Sequence, residues 1–317
     1  IRGLSDGGLL VDLFFSILTD SIAPIFLIIL IGYIIGKKLA VDIFTLTKIN
    51  LYVFVPALIF VKITETEITR EMLGAIGFAA LLMGIMSFIS MGVSRIRRSP
   101  RTLASAMRNS VLFYNSGNVG LPLIMLLYNQ KPEAVSIQIM VLLVQNLTTN
   151  TIGLYNASRG NMTIRQSLRQ VLKMPSVYAV TVAFLFKFLQ VDLSRAFIWP
   201  AAIFLSNGLV SVALLTLGVQ LSKVKMDFKN ADAYIASFLR LVGGPLAAYL
   251  LIRLFGITGV TAQVLLISSS VPTAVNTSLI AVEFHNEPDF ASQVVFTTTL
   301  LSALTMSVVI YIAQWIF

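Results

Sequence analysis

Apolar residues in this chain gather into long runs separated by short stretches of charge and turn residues. The runs fall at 9–36, 43–61, 72–94, 103–128, 134–155, 174–190, 197–221, 231–254, 259–282 and 289–316. One bilayer crossing takes about 20 predominantly apolar residues. The pattern therefore predicts an all-α polytopic membrane protein with ten transmembrane helices. The first run contains Pro24 and is long enough to tilt or kink, and Lys187 interrupts the sixth, which begins after Met174-Pro175. Residues 1–20 lack the basic start, isolated apolar core and small-residue cleavage site of a signal peptide, and read as the lead-in to the first helix. The longest connector, Asn156 to Lys173, is basic and too short for a soluble domain. Any chemistry belongs inside the bundle.

Composition and charge agree with a membrane solvent. Of 317 residues, 57% are apolar and 12% charged, whereas soluble domains hold about 45–50% and about 25%. A net charge of +9 would suit nucleic acid if it formed one basic face, but these charges lie between apolar runs and read as topology signals. Cytoplasmic loops are enriched in Lys and Arg. With the N-terminus outside, fifteen fall on inner connections (Lys37 to Lys48, Arg95 to Arg108, Arg159 to Lys173, Lys223 to Lys229) and seven on the outer side. Both termini are expected outside a plasma or inner cell membrane. No cysteine and one histidine remove disulfides, thiolate nucleophiles and Cys/His metal cages. The chain has no H-E-x-x-H, G-x-S-x-G or phosphate-loop motif and no acid pair in mid-membrane, so an intramembrane enzyme or ATP-driven pump has nothing to work with. Neither a cofactor nor a metal is expected.

An internal echo organises the runs. Asn129-Gln-Lys-Pro-Glu-Ala-Val-Ser136 matches His285-Asn-Glu-Pro-Asp-Phe-Ala-Ser292 at Pro132/Pro288, Glu133/Asp289 and Ser136/Ser292, a constant offset of 156. Each segment opens a helix with Pro followed by an acid, the expected N-terminal chemistry. The run before each copy is interrupted in a similar way, by Asn115-Ser-Gly-Asn-Val-Gly-Leu-Pro122 and by Ser268-Ser-Ser-Val-Pro-Thr-Ala-Val-Asn-Thr-Ser278. Five helices per half is an odd number, so the second half is inverted relative to the first. Paired Gly/Pro-broken helices in inverted halves point to a transporter's substrate site, because backbone groups freed in mid-membrane need protein or a water-filled cavity around them. Half-helix N-termini beside the neutral amides Asn118 and Asn276 would suit a carboxylate. The competing reading is that these are Pro kinks that only pack the bundle.

At these residues the chain resembles the auxin efflux carrier family, which includes plant PIN proteins and bacterial permeases. Asn115 to Pro122 is similar to its fourth-helix signature. Further likeness comes from Asn50-Leu-Tyr-Val-Phe-Val-Pro-Ala-Leu-Ile-Phe60, Arg240 with Pro245, Val271 to Asn276, Glu283, Pro288 and Thr297 to Thr299. It covers nearly the whole chain and, without the large central loop of long plant members, resembles a compact bacterial one. The resemblance implies two inverted five-helix repeats, residues 1–155 and 174–317, joined by a cytoplasmic linker at 156–173. Scaffold helices 1, 2, 6 and 7 would form a homodimer. Helices 3, 4, 5, 8, 9 and 10 would form a transport domain, with broken helices 4 and 9 crossing at the substrate site. Carried over, Asn115, Asn118, Gly120, Pro122, Pro272, Thr273 and Asn276 belong to that crossing. Gln145 or Asn146 faces it, and Asn50, Tyr52 and Pro56 form its scaffold side. The offset places Asn276 against Gly120, so the two motifs are not literal copies.

Other polar residues leave alternatives. Arg240, deep in the eighth run, either holds an anion or pairs with helix-end carbonyls or Asp232. Lys62 and Lys187 read as snorkelling anchors near helix ends. His285, with Glu283, Glu287 and Asp289, reads as a solvated outer loop. Tyr52, Thr148, Thr149 and Asn150 either line a path or make interhelical hydrogen bonds. The expected function is secondary transport of a small organic anion, auxin-like or a mono- or dicarboxylate, by elevator-type alternating access. The alternatives are a membrane sensor or receptor that uses the carrier fold to bind a carboxylate, and a channel. The expected partners are that anion, membrane lipid and a second copy of the chain, with no nucleic acid. No run holds a central carboxylate, which favours potential-driven uniport over proton symport.

Overall fold

The computed structural model describes residues 15–317 apart from 66–68, 129–130, 159–165, 167–168, 170–171, 192, 194–195 and 225–229. The described residues form helices joined by short connections, with one isolated antiparallel bridge between Tyr114 and Thr273. In chain order the helices are α1 (Ile17–Lys38), α2 (Ile43–Glu65), α3 (Arg70–Ile96), α4a (Arg101–Leu112), α4b (Ser116–Leu127), α5 (Pro132–Ala157), α6 (Pro175–Phe188), α7 (Trp199–Leu221), α8 (Ala231–Phe255), α9a (Gly259–Ser269), α9b (Asn276–Glu283) and α10 (Pro288–Ile316). Seven of these, α1, α2, α3, α5, α7, α8 and α10, are long and apolar enough to cross a membrane. Helices α4b, α6 and α9a are apolar but shorter, because the fourth and ninth runs are each cut in two and α6 stops one residue after Lys187. The start of the first run, 9–14, lies outside the described residues.

Local chemistry sets the helix ends. The Asp42 carboxylate accepts from the N–H groups of Phe44 and Thr45 at the start of α2, and the Thr45 hydroxyl also donates to it. That hydroxyl, followed by the two N–H groups and the nearby Lys48, holds the exposed carboxyl below its ordinary range. Pro132, Pro175 and Pro288 open α5, α6 and α10, where a missing N–H costs nothing. Gly256 ends α8 in a left-handed conformation, φ +63°. Lys187 Nζ donates to the carbonyls of Ile63 and Thr64, both at 3.2 Å, and so ties α6 to the last turn of α2. Lys62 pairs with Glu65 at 3.0 Å.

Helix α7 packs against α1 and α2, and α2 against α6, while α3 packs against α4a, α5 and α8, and α10 against α8 and both parts of α9. At the α1–α7 crossing the backbones nearly touch. A Cβ on Gly218 would lie 2.0 Å from the Ile29 carbonyl oxygen, and one on Gly32 would lie 2.3 Å from that of Leu215. Gly218→Ala should therefore destabilise the protein by about 1–3 kcal/mol through overpacking. Gly84→Ala, with open space around it, should be close to neutral. Thermal unfolding of the two variants in detergent checks the contrast, and equal midpoints would contradict the packing. Large side chains such as Phe88, Phe204 and Leu254, 73%, 77% and 76% exposed, turn outward, as expected of a surface that faces lipid.

One placement differs from the sequence reading. The α9b–α10 turn packs on the start of α4a: Thr102 Oγ1 donates to Glu287 Oε1 at 2.6 Å, and Asn286 Nδ2 donates to Ser105 Oγ at 2.9 Å. His285 thus shares an end with the arginine-rich connection Arg95 to Arg101. The expectation of an outer loop around His285 and a cytoplasmic loop around Arg97 cannot both hold. Ten alternating spans already put the ninth-to-tenth connection on the same side as the third-to-fourth, so the outer-loop reading of His285 is the one that falls, and the side-chain contacts hold the two connections together.

Candidate functional site

Both interrupted helices break where their sequences remove backbone partners. Pro272 has no N–H with which to continue α9a, and at the other break a π-helical turn over Ser116–Gly120 sits just ahead of Pro122. The two breaks then satisfy each other. Asn115 N–H donates to the Pro272 carbonyl at 2.7 Å, and Ala274 N–H donates to the Phe113 carbonyl at 2.8 Å. Side chains complete the join: Thr273 Oγ1 donates to the Ser110 carbonyl at 2.7 Å, Thr298 Oγ1 accepts from Thr273 N–H at 3.1 Å, and Gln145 Oε1 accepts from Tyr114 N–H at 3.2 Å. This is the accounting that hydrocarbon demands of any non-helical backbone at membrane depth.

The four half-helix ends are treated differently by polarity. On the carbonyl side, Arg240 Nη1 donates to the Val111 carbonyl at 2.9 Å, and Nη2 donates to the Ser269 carbonyl, the last turns of α4a and α9a. The guanidinium also lies 4.7 Å above the Tyr114 ring. Only 1% exposed, Arg240 neutralises two negative dipole ends at once. It takes the second of its sequence readings, pairing with helix-end carbonyls. Asp232 instead pairs with Arg97 at 2.8 Å.

The N–H side faces a cavity of about 50 Å³, lined by Asn115 to Asn118 at the start of α4b and by Ala274 to Asn276 at the start of α9b. Asn50, Asn115, Asn118, Gln145, Asn146 and Asn276 all line it, so one site gathers six amides predicted from separate parts of the sequence. Among the described residues no charged side chain lines it. Asn50 Nδ2 donates to Asn118 Oδ1 at 3.3 Å, and Asn115 Oδ1 accepts from Asn118 N–H at 3.2 Å. Asn115 Nδ2 and Gln145 Nε2 are buried without a hydrogen-bond partner among the described residues. A charge-free cavity that offers amide donors and two positive dipole ends can hold a small anion.

The remaining predicted residues lie elsewhere. Pro272 and Thr273 hold the join rather than line the cavity. Gly120 makes room for Gln138, whose Nε2 would be 2.7 Å from an added Cβ and which donates to the Ser116 carbonyl. Pro122 is buried in α4b. Tyr52 is 58% exposed and Pro56 is off the lining. On α2 the lining positions are Thr47, Asn50, Leu51 and Val55, a helical stripe that passes both residues by.

Thr47, Thr216 and Gln220 were not singled out from the sequence, yet all three line the cavity, with Gln220 Nε2 donating to Thr47 Oγ1 at 3.2 Å. The available signal is Thr216 and Gln220 four residues apart, one helical turn, in a run that also holds Ser206, Asn207 and Ser211. A second, wider cleft of about 430 Å³ shares Thr47, Leu51 and Asn276 with the cavity and extends to Phe44 and Glu283.

Comparison with known proteins gives a consistent picture. The family profile described as membrane transport protein matches residues 17–310. The chain is 24% identical over 300 residues to an uncharacterized transporter of Methanocaldococcus jannaschii, covering 91% of this chain and 96% of that one. An uncharacterized transporter of Methanothermobacter thermautotrophicus is 22% identical over 294 residues, with the same coverage of 91% and 96%. The uncharacterized transporter YfdV of Escherichia coli (strain K12) is 25% identical over 315 residues, 93% of this chain and 95% of that one.

Proposed function

This chain belongs to the membrane transport protein family, the auxin efflux carriers, and we propose that it carries a small organic anion across the membrane through the cavity between its two broken helices. The observation that carries this reading is the pairing of seven amides, Gln220 included, with two half-helix N-termini in a cavity that no charged side chain among the described residues lines. Amide donors strengthen around a carboxylate without the desolvation cost of a buried, unpaired cation. The fold is read as ten spans in two inverted five-helix repeats, each ending in a helix that starts on Pro132 or Pro288. Helices α4 and α9 cross at the substrate.

Packing supports a scaffold of α1, α2, α6 and α7, with the remaining helices as the moving domain. A homodimer would form through this scaffold. Elevator movement would break the Asn50–Asn118 hydrogen bond, which spans the two groups. The wider cleft reaches Glu283, near the turn that shares an end with the arginine-rich connection. That supports a conformation open to the cytoplasm. Half-helix C-termini commonly seat a coupling cation in transporters. Here Arg240 holds both of them, which supports flux with no sodium requirement.

The test is binding and flux with a panel of indole-3-acetate, malonate and malate. Losing a hydrogen bond to a charged group costs about 1.5–3 kcal/mol, roughly a tenfold to 150-fold loss of affinity. Asn118→Ala and Asn276→Ala should each show that loss by calorimetry while remaining folded. Unchanged affinity in both would place the site elsewhere, and saturable binding without flux would make the protein a receptor. For orientation, a thiol replacing Arg97 in this cysteine-free chain should stay unreactive to an impermeant reagent outside intact cells. Labelling there would reverse the topology.

A further inference from the structure

We propose that a second site, the cleft between α3, α4a and α5 at the arginine-rich end, binds a phosphate group. The cleft measures about 1050 Å³ and is lined by Arg95, Arg101 and Arg108, with the hydroxyls of Ser94, Ser99 and Thr102 among them. Among the described residues no acidic side chain lines it. The ion pairs among the described residues, Lys62–Glu65 and Arg97–Asp232, use none of these three arginines. The stretch of sequence after the lining residues Tyr155 and Asn156, up to Lys173, contains no Asp or Glu. Glu287 touches the rim through Thr102 without lining the cleft.

Arg108 separates this arrangement from a set of topology signals. An arginine that only marks the cytoplasmic side can remain in the solvated connection, as Arg98 does. Arg108 instead sits about two turns inside α4a and is half-buried. Its Nη2 donates to Asn156 Oδ1 at 2.8 Å and its Nη1 approaches Met91 Sδ at 3.4 Å, while its Nε is buried with no partner. Asn156 is fixed in turn, because its Nδ2 donates to Asn109 Oδ1 at 2.9 Å and Asn109 Nδ2 donates to the Gly153 carbonyl at 2.9 Å. The guanidinium is thus oriented by neutral groups and lacks a counter-charge among the described residues. Guanidinium forks match phosphate oxygens in geometry and charge. The α4a N-terminus, whose cap Pro100 supplies no side-chain acceptor, opens at the same place and adds its positive dipole end.

Two sources share this chemistry, the headgroup of an anionic phospholipid and a free phosphate. Purified protein in detergent, at constant ionic strength, is titrated with dioleoylphosphatidylglycerol, dioleoylphosphatidylcholine or inorganic phosphate while thermal unfolding is followed. The proposal expects a rise of several degrees with phosphatidylglycerol that Arg108→Gln abolishes. An equal rise with inorganic phosphate assigns the site to a free phosphate, and a rise with phosphatidylglycerol alone assigns it to lipid. Should Arg108→Gln fail to fold, the double variant Arg95→Gln/Arg101→Gln, at exposed positions, should show the reduced shift. Identical shifts in wild type and variants, equal shifts from both lipids, or no shift with any probe would overturn the proposal.

Discussion

Arg240→Ala is expected to lower the thermal stability of this protein more than any single alanine substitution in the amide cavity. The substitution strips the Val111 and Ser269 carbonyls of their donor in a buried environment. Each orphaned group costs about 1–3 kcal/mol, so the loss is about 2–6 kcal/mol before the cation–π contact with Tyr114 is counted. Two negative helix ends would also be left facing each other without the charge between them. Arg240→Lys keeps a cation but replaces a rigid fork by a point donor, so it should fall between wild type and Arg240→Ala. Unfolding midpoints in detergent measure this. If Arg240→Ala melts with the wild type, the guanidinium does not hold the two breaks together.

Gln145→Glu should have the largest effect on function with little effect on the fold. The change is isosteric, and a carboxylate oxygen can still accept the Tyr114 N–H that Gln145 Oε1 now accepts at 3.2 Å. It converts an unpartnered amide donor into a negative charge within the cavity. Against a substrate carboxylate about 4 Å away, at an effective dielectric of about 20, the repulsion is about 4 kcal/mol. That corresponds to roughly a thousandfold loss of affinity. Calorimetry with the anion that binds wild type reads it directly. Binding that survives Gln145→Glu within about tenfold would mean that the anion sits outside this cavity.

Much of the scaffold for these predictions was legible in the sequence because hydrocarbon imposes a coarse rule, that apolar runs are helices and their interruptions need a reason. The breaks at Asn115 to Pro122 and around Pro272 are such interruptions, and the structure joins them. The sequence also posed the right alternatives for Arg240, but a choice between anion and carbonyl needs the positions of Val111 and Ser269, which come from two other helices. The stripe of Thr47, Asn50, Leu51 and Val55 shows a different limit. A motif gives residue types, while the rotation of α2 is set by packing against α6 and α7, so Asn50 faces in and Tyr52 faces out. Thr216 and Gln220 carry no clear signal in the sequence, because single polar residues among apolar ones more often make local hydrogen bonds, as Thr216 Oγ1 also does to the Val212 carbonyl. The pairing of Glu287 with Thr102 is a long-range contact with no sequence signature at all.

In the proposed mechanism an anion moves through the cavity between the broken helices and carries its charge with it. Uptake of labelled malonate, malate and indole-3-acetate into proteoliposomes under an imposed potassium-diffusion potential tests it most directly. A transmembrane potential contributes about 2.3 kcal/mol per charge per 100 mV, a driving force of roughly fiftyfold for a monovalent anion. Saturable uptake of at least one of these anions is expected, accelerated by an inside-positive potential, unaffected by replacing sodium, and lost in Gln145→Glu. Uptake that ignores the potential and follows an imposed pH gradient, or that persists in Gln145→Glu, would contradict it.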